Sequence, residues 1–231
     1  MQRLGETILF SEMTPPPDQE AAFNAWYDHE HIPVRMAAPG FRSAQRYRDG
    51  ESLNYLAVYE MADPGALATP EYDRIKNQPS DTTRAMLGAV SGFTRYIGRS
   101  IGTHIGTHIG THGAPGDELL SAPVLYAVFF EVPPARVAEF DSWYAEDHVP
   151  LLLDDPRWIG ARRFDILDGA PHRHNRLALH YLADRLVLDS EARAKARATP
   201  WRARLAQEPW FAGRYLVFDS IGARQVTRAN S

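Results

Sequence analysis

Two stretches of the chain, residues 23–47 and 140–164, repeat one pattern at an offset of 117 positions. The first reads FNAWYDHEHIPVRMAAPGFRSAQRY and the second reads FDSWYAEDHVPLLLDDPRWIGARRF. Both stretches keep a phenylalanine, a Trp-Tyr pair, a histidine, two prolines, an alanine and an arginine without a gap. In a chain of 231 residues, such a duplication predicts two units of about 110 residues each.

The local patterns around the repeat follow the same order in both halves. A β-rich apolar stretch comes first, then a helix, a hairpin, a second helical stretch and a last aromatic strand. We predict the second helical stretches over 70–87 and 186–206, and the last strands over 93–97 and 214–218. The order β-α-β-β-α-β, present twice, is that of the ferredoxin-like split unit.

A ferredoxin-like unit leaves one apolar face of its sheet bare, and packing sheet against sheet covers it. The predicted fold class is therefore α+β, with two tandem ferredoxin-like units packed sheet to sheet as a pseudo-dimeric α+β barrel. We assign unit 1 to residues 1–100, a His/Gly-rich linker to 101–117 and unit 2 to 118–231. The chain is then a monomeric pseudo-dimer or forms a homodimer.

The linker begins with the tetrapeptide IGTH, three times in succession. Histidine-rich tracts often bind metal, but residues four apart in an extended chain are separated by about 13 Å. Imidazoles at that distance cannot share one zinc ion, and glycine with β-branched residues disfavours the helix that would gather them. We interpret the tract as a flexible linker and predict no metal site.

Composition excludes several classes of function. The chain has no cysteine, which rules out a disulfide framework, a thiolate nucleophile and cysteine-bound zinc. A net charge of −4 gives no footprint for nucleic acid, and no apolar run approaches the ~20 residues that span a bilayer. We expect a soluble cytoplasmic protein without a membrane or nucleic-acid partner. A run of basic residues in the second half is interpreted as a solvated helix face rather than a polyanion site: Arg193, Lys195, Arg197, Arg202 and Arg204.

The candidate catalytic residues are the duplicated histidines, His31 and His148. Each follows a tyrosine by four residues and a phenylalanine by eight, which places all three on the helix face that points at the sheet. A proline two residues later removes a backbone donor, so the helix should kink or end there. With an ordinary pKa of about 6.5, a histidine lining a cavity at this point is a natural general base. The alternative is a structural histidine that caps the helix or bonds to a carbonyl.

Neighbouring residues complete the predicted site. Tyr27 and Tyr144 share the face of the histidines and are candidates to polarise a carbonyl, or they pack in the core with satisfied hydroxyls. His29, absent from unit 2, is either a surface residue or a sign that unit 1 alone is active. Glu30 and Asp147 are expected to face away from the cavity, where a salt bridge is the default. Candidate substrate-binding residues come from the same helices and from the returning strands: Trp26, Trp143, Phe23, Phe140, Tyr59 and His180.

The stretch Trp26-Tyr27-x-x-Glu30-His31-Ile32-Pro33, followed by Pro39-Gly40-Phe41, resembles the EthD-like branch of the dimeric α+β barrel superfamily. Unit 2 resembles it more loosely, with Asp147-His148-Val149-Pro150 and Pro156-Arg157-Trp158. The resemblance implies two ferredoxin-like units and a pocket between helices and sheet where a histidine or tyrosine moves protons. The fusion of two units departs from the single-unit homodimers of the superfamily, which puts the equivalence of the two pockets in doubt.

From the residues and the resemblance together we expect a cofactor-independent enzyme. Its chemistry would be of the lyase, isomerase or cyclase type, with histidine general acid/base catalysis on a small aromatic or lactone-like metabolite. Two alternatives use the same pocket: a non-catalytic small-molecule binding protein, and a haem- or oxygen-handling monooxygenase of the same superfamily.

Overall fold

Antiparallel strand pairs form the framework of both halves of the chain. The structure is a computed structural model that describes residues 4–107 and 115–227. Within this part the backbone separates into two compact units. Unit 1 contains the described residues up to Arg99, together with Leu167–Pro171 and those from Ser220 onward, and unit 2 contains Ser100–Ile166 and His172–Asp219.

In unit 1, β1 (Thr7–Met13) pairs with β3 (Tyr55–Met61) and with β4 (Arg95–Ile105), and β3 also pairs with β2 (Phe41–Asp49). The helical segments between these strands are a 3₁₀ turn at Pro17–Gln19, α1 (Glu20–Trp26), a π-helical turn at Tyr27–His31, α2 (Ile32–Met36), a second 3₁₀ turn at Pro64–Ala68, α3 (Pro70–Asn77) and α4 (Asp81–Ala89).

In unit 2, α5 (Pro115–Leu120) precedes β5 (Val124–Phe130), which pairs with β7 (Arg176–Leu182) and β8 (Arg214–Val226). β6 (Trp158–Ala170) pairs with β7. The helical segments are a 3₁₀ turn at Pro134–Arg136, α6 (Val137–Trp143), a π-helical turn at Tyr144–His148, α7 (Val149–Leu152), a 3₁₀ turn at Arg185–Asp189, α8 (Glu191–Arg197) and α9 (Pro200–Leu205). The α+β class with antiparallel strands is thereby confirmed.

The expected linker is partly structured. The first IGTH repeat continues β4 to Ile105 rather than starting a flexible segment, because its β-branched isoleucine and threonine suit a strand. His108 and His112, the remaining histidines of the tract, lie outside the described residues. In the part of the chain that the structure describes, no group of three or more His, Asp or Glu side chains is arranged to hold a metal ion. No helix there is long and apolar enough to cross a membrane.

The second helical stretch of each unit is broken, where we expected one helix. In unit 1, Ser80 caps α4 by accepting a hydrogen bond from the Thr83 N–H at 3.0 Å. In unit 2, Thr199 caps α9 in the same way, accepting from the Arg202 N–H at 3.2 Å. A capping side chain competes with helix continuation and starts a new helix instead. Thr199 in unit 2 therefore corresponds to Ser80 in unit 1.

The two apolar cores lie between helices and strands of the same unit. Phe23 of α1 is completely buried and packs on Tyr55 of β3 with ring centroids 5.2 Å apart. Phe140 of α6 packs on Phe130 of β5 at 5.0 Å. Burying aromatic side chains of this size contributes about 2–3 kcal/mol each, so both phenylalanines of the repeat are anchors that hold the helix against its sheet.

Candidate functional site

Each duplicated helix widens into a π turn at the candidate residues. The N–H of Val149 bonds to the carbonyl of Tyr144, five residues earlier, and the N–H of Ile32 bonds to Tyr27 in the same way. Pro150 has no N–H to continue the regular four-residue pattern, and its ring would crowd the carbonyl of Glu146. We expected the helix to kink or end at the proline. The structure instead shows a π turn followed directly by α2 or α7, so the helix accommodates the proline by widening. Such π turns are frequent at functional sites because they re-aim side chains.

Unit 2 contains a small cavity of about 40 Å³ between the π turn, the strands and helices α8 and α9. Its apolar wall includes Val128, Phe130, Leu152 and Phe211. Its polar lining consists of Tyr126, Tyr144, His148, His180, Tyr215 and three arginines, with the indoles of Trp143 and Trp158 beside them. An apolar wall with a few converging polar groups is the usual lining of a small-molecule site.

Three pocket residues form a directed hydrogen-bond chain. The indole N–H of Trp158 donates to Nδ1 of His180 at 3.1 Å, and Nε2 of His180 lies 2.7 Å from the hydroxyl oxygen of Tyr144. An indole nitrogen is only a donor, so Nδ1 must accept and the ring proton is on Nε2. His180 therefore donates to Tyr144, and the Tyr144 hydroxyl keeps its own proton for another acceptor.

Burial keeps His180 and Tyr144, the two titratable residues of this hydrogen-bond chain, in their neutral forms. Desolvation, aided by the nearby His148 and Arg193, lowers the pKa of His180 well below its ordinary value. Desolvation likewise raises the pKa of Tyr144 well above its ordinary value, and the neighbouring tyrosines Tyr126 and Tyr215 add to the increase. At neutral pH, Tyr144 is therefore an uncharged phenol that donates a hydrogen bond.

His148 presents a base to the same pocket. Its Nδ1 contacts the carbonyl oxygen of Ala196 at 3.4 Å, and its ring stacks on Trp143 with centroids 4.8 Å apart. A carbonyl can only accept, so Nδ1 carries the proton and Nε2 has a free lone pair. Burial lowers the pKa of His148 to about 4, against the raising effect of the Ala196 carbonyl. The Tyr144 and His148 rings are 5.1 Å apart, which allows donor and base to act on one ligand.

Arg193, Arg197 and Arg202 line this pocket, whereas Lys195 pairs with Glu191 at 3.1 Å on the exposed side of α8. The interpretation of the whole basic run as a solvated helix face is thus wrong for Arg193 and Arg202, which are partly buried, whereas Arg197 is exposed at the pocket rim. The sequence pattern did not predict this, because α8 ends and α9 begins at a new cap. The break changes the set of side chains that lie on one helix face.

In unit 1 the strand positions equivalent to this pocket belong to the packed core, whereas His31 lines a separate pocket against α3 and α4. Strand pairing places Tyr59 where unit 2 has His180, since each lies opposite the repeat alanine of the neighbouring strand. By the same pairing, Phe41 occupies the position equivalent to that of Trp158, and its ring centroid lies 5.9 Å from that of Tyr59. Leu9, paired with Tyr59, stands for Tyr126. All three are buried in one apolar cluster.

Of the catalytic candidates of unit 1, Tyr27 lies in this packed cluster and His31 lies at the wall of the pocket against α3 and α4. Tyr27 donates to the sulfur of Met13 at 3.8 Å, and burial raises its pKa to about 12. His31 is 3% exposed and its ring lies 4.1 Å from that of Trp26. Burial holds the pKa of His31 well below its ordinary value, with Arg35 and Arg46 adding to the decrease. His29 is exposed and its Nδ1 bonds to the carbonyl of its own helix residue Ala25 at 2.8 Å.

The carboxylates of the repeat face the caps of the following helices. Thr199 donates to Asp147 at 2.6 Å, and Thr83 donates to Glu30 at 2.6 Å. Ser80 also donates to Glu30, and these hydrogen bonds lower the pKa of the Glu30 carboxyl. We expected salt bridges at these positions; the structure instead shows side-chain bonds that tie the π-turn helix to α4 or α9.

The remaining predicted residues divide between core and pocket. Trp26 donates its indole N–H to Thr83 at 2.9 Å, and Phe23 and Phe140 pack in the two cores. Trp143 lines the pocket of unit 2. Sequence reasoning did not select Trp158, Tyr126 or the pocket arginines. Sequence differences between the two halves could have indicated these residues. For example, unit 2 has Pro-Arg-Trp158 where unit 1 has Pro-Gly-Phe41.

No protein-family model matches the sequence, and no curated protein matches it either. Several solved structures match its fold. An anthrone oxidase-like protein aligns over 98% of this chain and 96% of its own at 11% identity, with a TM-score of 0.67. A putative monooxygenase from Lactobacillus acidophilus aligns over 96% and 97% at 11% identity, with a TM-score of 0.55. A chlorite dismutase variant from Candidatus Nitrospira defluvii aligns over 94% and 91% at 9% identity, with a TM-score of 0.54.

These neighbours share only their fold with the chain, at 9–11% identity, and they agree with the predicted α+β fold. They contradict the expectation of a cofactor-independent lyase, isomerase or cyclase, because their names describe oxidase-like, monooxygenase and chlorite dismutase proteins. They agree better with our alternative of a haem- or oxygen-handling protein. The chain has the fold of the dimeric α+β barrel proteins.

Proposed function

We propose that the protein is an oxygen-handling enzyme of the oxidase or monooxygenase type, acting on a small molecule bound in the pocket of unit 2. The observation that carries this proposal is the Trp158–His180–Tyr144 chain, which leaves a phenol donor beside the neutral base His148 in an apolar cavity. The names of the structural neighbours support the reaction class.

We further assign the chain to the EthD-like branch of the superfamily and its halves to tandem ferredoxin-like units. The Glu30-His31-Ile32-Pro33 stretch and the order β-α-β-β-α-β in each half support these assignments. The unit boundaries at 1–100 and 118–231 belong to the same proposal, as does a cytoplasmic location. The site assignment rests on unit 2: His148 and Tyr144 act on the substrate, and Trp143 and His180 help to shape its pocket.

The pocket does not fit a haem group. Its aromatic walls contact one another, as the Phe130 and Phe211 rings do with centroids 5.2 Å apart. Both nitrogens of His180 are occupied by hydrogen bonds and cannot serve as an axial ligand. We therefore derive no step through haem.

The chemistry suits a substrate with an acidic methylene group next to a carbonyl. Nε2 of His148 removes one methylene proton, and the Tyr144 hydroxyl donates a hydrogen bond to the enolate oxygen that forms. The electron-rich carbon transfers electrons to O₂ and bonds to it, and the proton on His148 completes a hydroperoxide. Removal of the second methylene proton breaks the O–O bond and releases hydroxide, which takes up that proton.

This sequence converts one methylene and one O₂ into one carbonyl and one water. The methylene carbon loses the four electrons that O₂ gains, so no external reductant is needed. Both protons removed from carbon leave in the water molecule. The apolar wall of the pocket keeps bulk water from the carbanion, which would otherwise be quenched by protonation.

Oxygen uptake with anthrone tests the proposed function. Anthrone carries a methylene activated by a carbonyl, and its product is the corresponding quinone. We expect consumption of one O₂ per anthrone above the uncatalysed rate, and ¹⁸O₂ should place one labelled atom in the quinone and one in water. Saturable binding with no increase in oxygen uptake would reject the enzyme and leave a binding protein.

A further inference from the structure

One buried hydrogen-bond donor changes its environment between the two units. In unit 1 the indole N–H of Trp26 donates to the hydroxyl of Thr83 at 2.9 Å. The third residue after the helix cap, which is Thr83 in unit 1, is Arg202 in unit 2. A guanidinium has donors only and cannot accept from the indole. The indole N–H of Trp143, whose side chain is 2% exposed, accordingly has no partner among the described residues.

Arginines stand at two further positions where unit 1 has other residues. Arg193 follows its cap Ser190 by three residues, as Tyr72 follows Thr69, and Arg197 corresponds in this way to Lys76. All three arginines of unit 2 line the pocket. Arg193 donates to the carbonyl of Leu188 and bonds to the Tyr126 hydroxyl, and Arg202 donates to the carbonyl of Arg197. In the described part of the chain, no carboxylate forms an ion pair with any of the three.

Other arginines of unit 2 do have acidic partners, for example Arg185 with Asp219 at 2.9 Å and Arg176 with Asp165 at 2.7 Å. The three pocket arginines have no such acidic partner among the described residues. Trp143 and Arg202 both contact Phe211 in this pocket. The Phe211 ring lies 5.2 Å from the Trp143 ring and 5.7 Å from the Arg202 guanidinium carbon. A buried donor without an acceptor costs about 1–3 kcal/mol, and a ligand oxygen would remove that cost.

We propose that unit 2 binds a carboxylate group of its ligand, an aromatic carboxylic acid, between the Trp143 indole N–H and the guanidinium of Arg202, with Arg193 and Arg197 adding positive charge. The planar carboxylate matches the forked donors of arginine and has further lone pairs for the indole. This inference rests on the proposed function only in calling the ligand a substrate; the binding itself does not depend on turnover.

The test compares naphthalene-2-carboxylate with naphthalene-2-carboxamide, which has nearly the same shape and no charge. Binding is measured by isothermal titration and by quenching of tryptophan fluorescence, without any oxygen assay. We expect the carboxylate to bind at least about tenfold more tightly than the amide, since hydrogen bonds to charged groups contribute about 1.5–3 kcal/mol. The ¹⁵N–¹H signal of the Trp143 indole should shift when the carboxylate binds.

Arg202→Thr recreates the partner that the indole has in unit 1, so this variant should fold and lose the preference for the carboxylate. Arg204→Thr, an exposed neighbour on the same helix, is the matched control and should keep the preference. Arg197→Met, at an exposed position, should reduce the preference without affecting the fold.

Equal affinity of the wild type for acid and amide, or an unchanged preference in Arg202→Thr, would overturn the proposal. Carboxylate binding without oxygen uptake would support this site and reject the proposed oxygenase.

Discussion

The hydroxyl oxygen of Tyr144 lies 2.7 Å from Nε2 of His180, whereas the corresponding Tyr27 of unit 1 makes its hydroxyl contact with the sulfur of Met13 at 3.8 Å. The two tyrosines occupy equivalent positions in the repeat, each at the start of its own π turn. Their hydroxyls differ because strand β7 carries a histidine where β3 carries Tyr59. Only the tyrosine of unit 2 accepts a hydrogen bond from a residue that is itself oriented by a third.

Removing the Tyr144 hydroxyl tests whether it stabilises the developing oxyanion. We expect Tyr144→Phe to lower kcat for anthrone oxidation by about 10²-fold, the effect of losing one oxyanion donor, with a smaller change in KM. Tyr27→Phe is the matched control and should leave kcat unchanged. Steady-state oxygen uptake measures both; equal effects of the two substitutions would remove Tyr144 from the mechanism.

His148→Gln should abolish most of the turnover, with a loss of about 10²-fold or more, because a positioned general base contributes that much. The pH profile gives an independent readout. Because burial lowers the pKa of His148 to about 4, the base is neutral from neutral pH down almost to that value. We expect kcat/KM to stay level as the pH falls below 6.5 and to decline only near pH 4; a midpoint near 6.5 would contradict the assignment.

Trp158→Phe tests the orientation of His180. Phe41 occupies the corresponding position in unit 1, so the fold accommodates the smaller ring there. Without the indole donor, Nδ1 of His180 is free to carry the ring proton, and its hydrogen bond to Tyr144 can reverse. We expect a decrease in kcat of about tenfold and a change in the ¹⁵N shifts of the His180 ring. An unchanged tautomer in the NMR spectrum would show that Trp158 only packs.

The buried His31 should make folding sensitive to acid. Its pKa in the folded state lies well below the ordinary value, so below about pH 6.5 the unfolded chain binds a proton that the folded chain does not. The stabilisation is fully present above that pH and is lost as the pH falls. The free energy of unfolding, measured in urea at pH 7.5 and 5.5, should drop less in His31→Gln than in the wild type. His29→Gln, at an exposed position of the same turn, should keep the wild-type drop.

Thr199→Ala should destabilise unit 2 by about 1–2 kcal/mol, since Thr199 both caps α9 and donates to Asp147. Ser80→Ala, which removes the corresponding cap of α4 and its bond to Glu30, should cost a similar amount. Denaturant unfolding of the two variants checks the expectation. No change in either would mean that the caps do not tie the π-turn helices to the helices that follow.

Much of the fold could be predicted because its signals are local. The spacing of Phe140, Tyr144 and His148 follows the period of a helix face, and alternating apolar residues mark the strands. The proline two residues after each histidine correctly indicated a disturbed helix. Its form, a π turn, could not be read from the sequence, since it depends on which side chains hold the widened turn against the sheet.

The repeat by itself determined the order of the elements, the shared aromatic face and the pairing of His31 with His148 as equivalent positions. Only the tertiary structure decided which residues line the pocket of unit 2. Its chemistry depends on contacts between residues far apart in the chain, Tyr144 with His180 and Trp158, and on the helix break that turns Arg202 towards Trp143. Such contacts are set by strand register and by the volume of facing side chains, which no local pattern encodes.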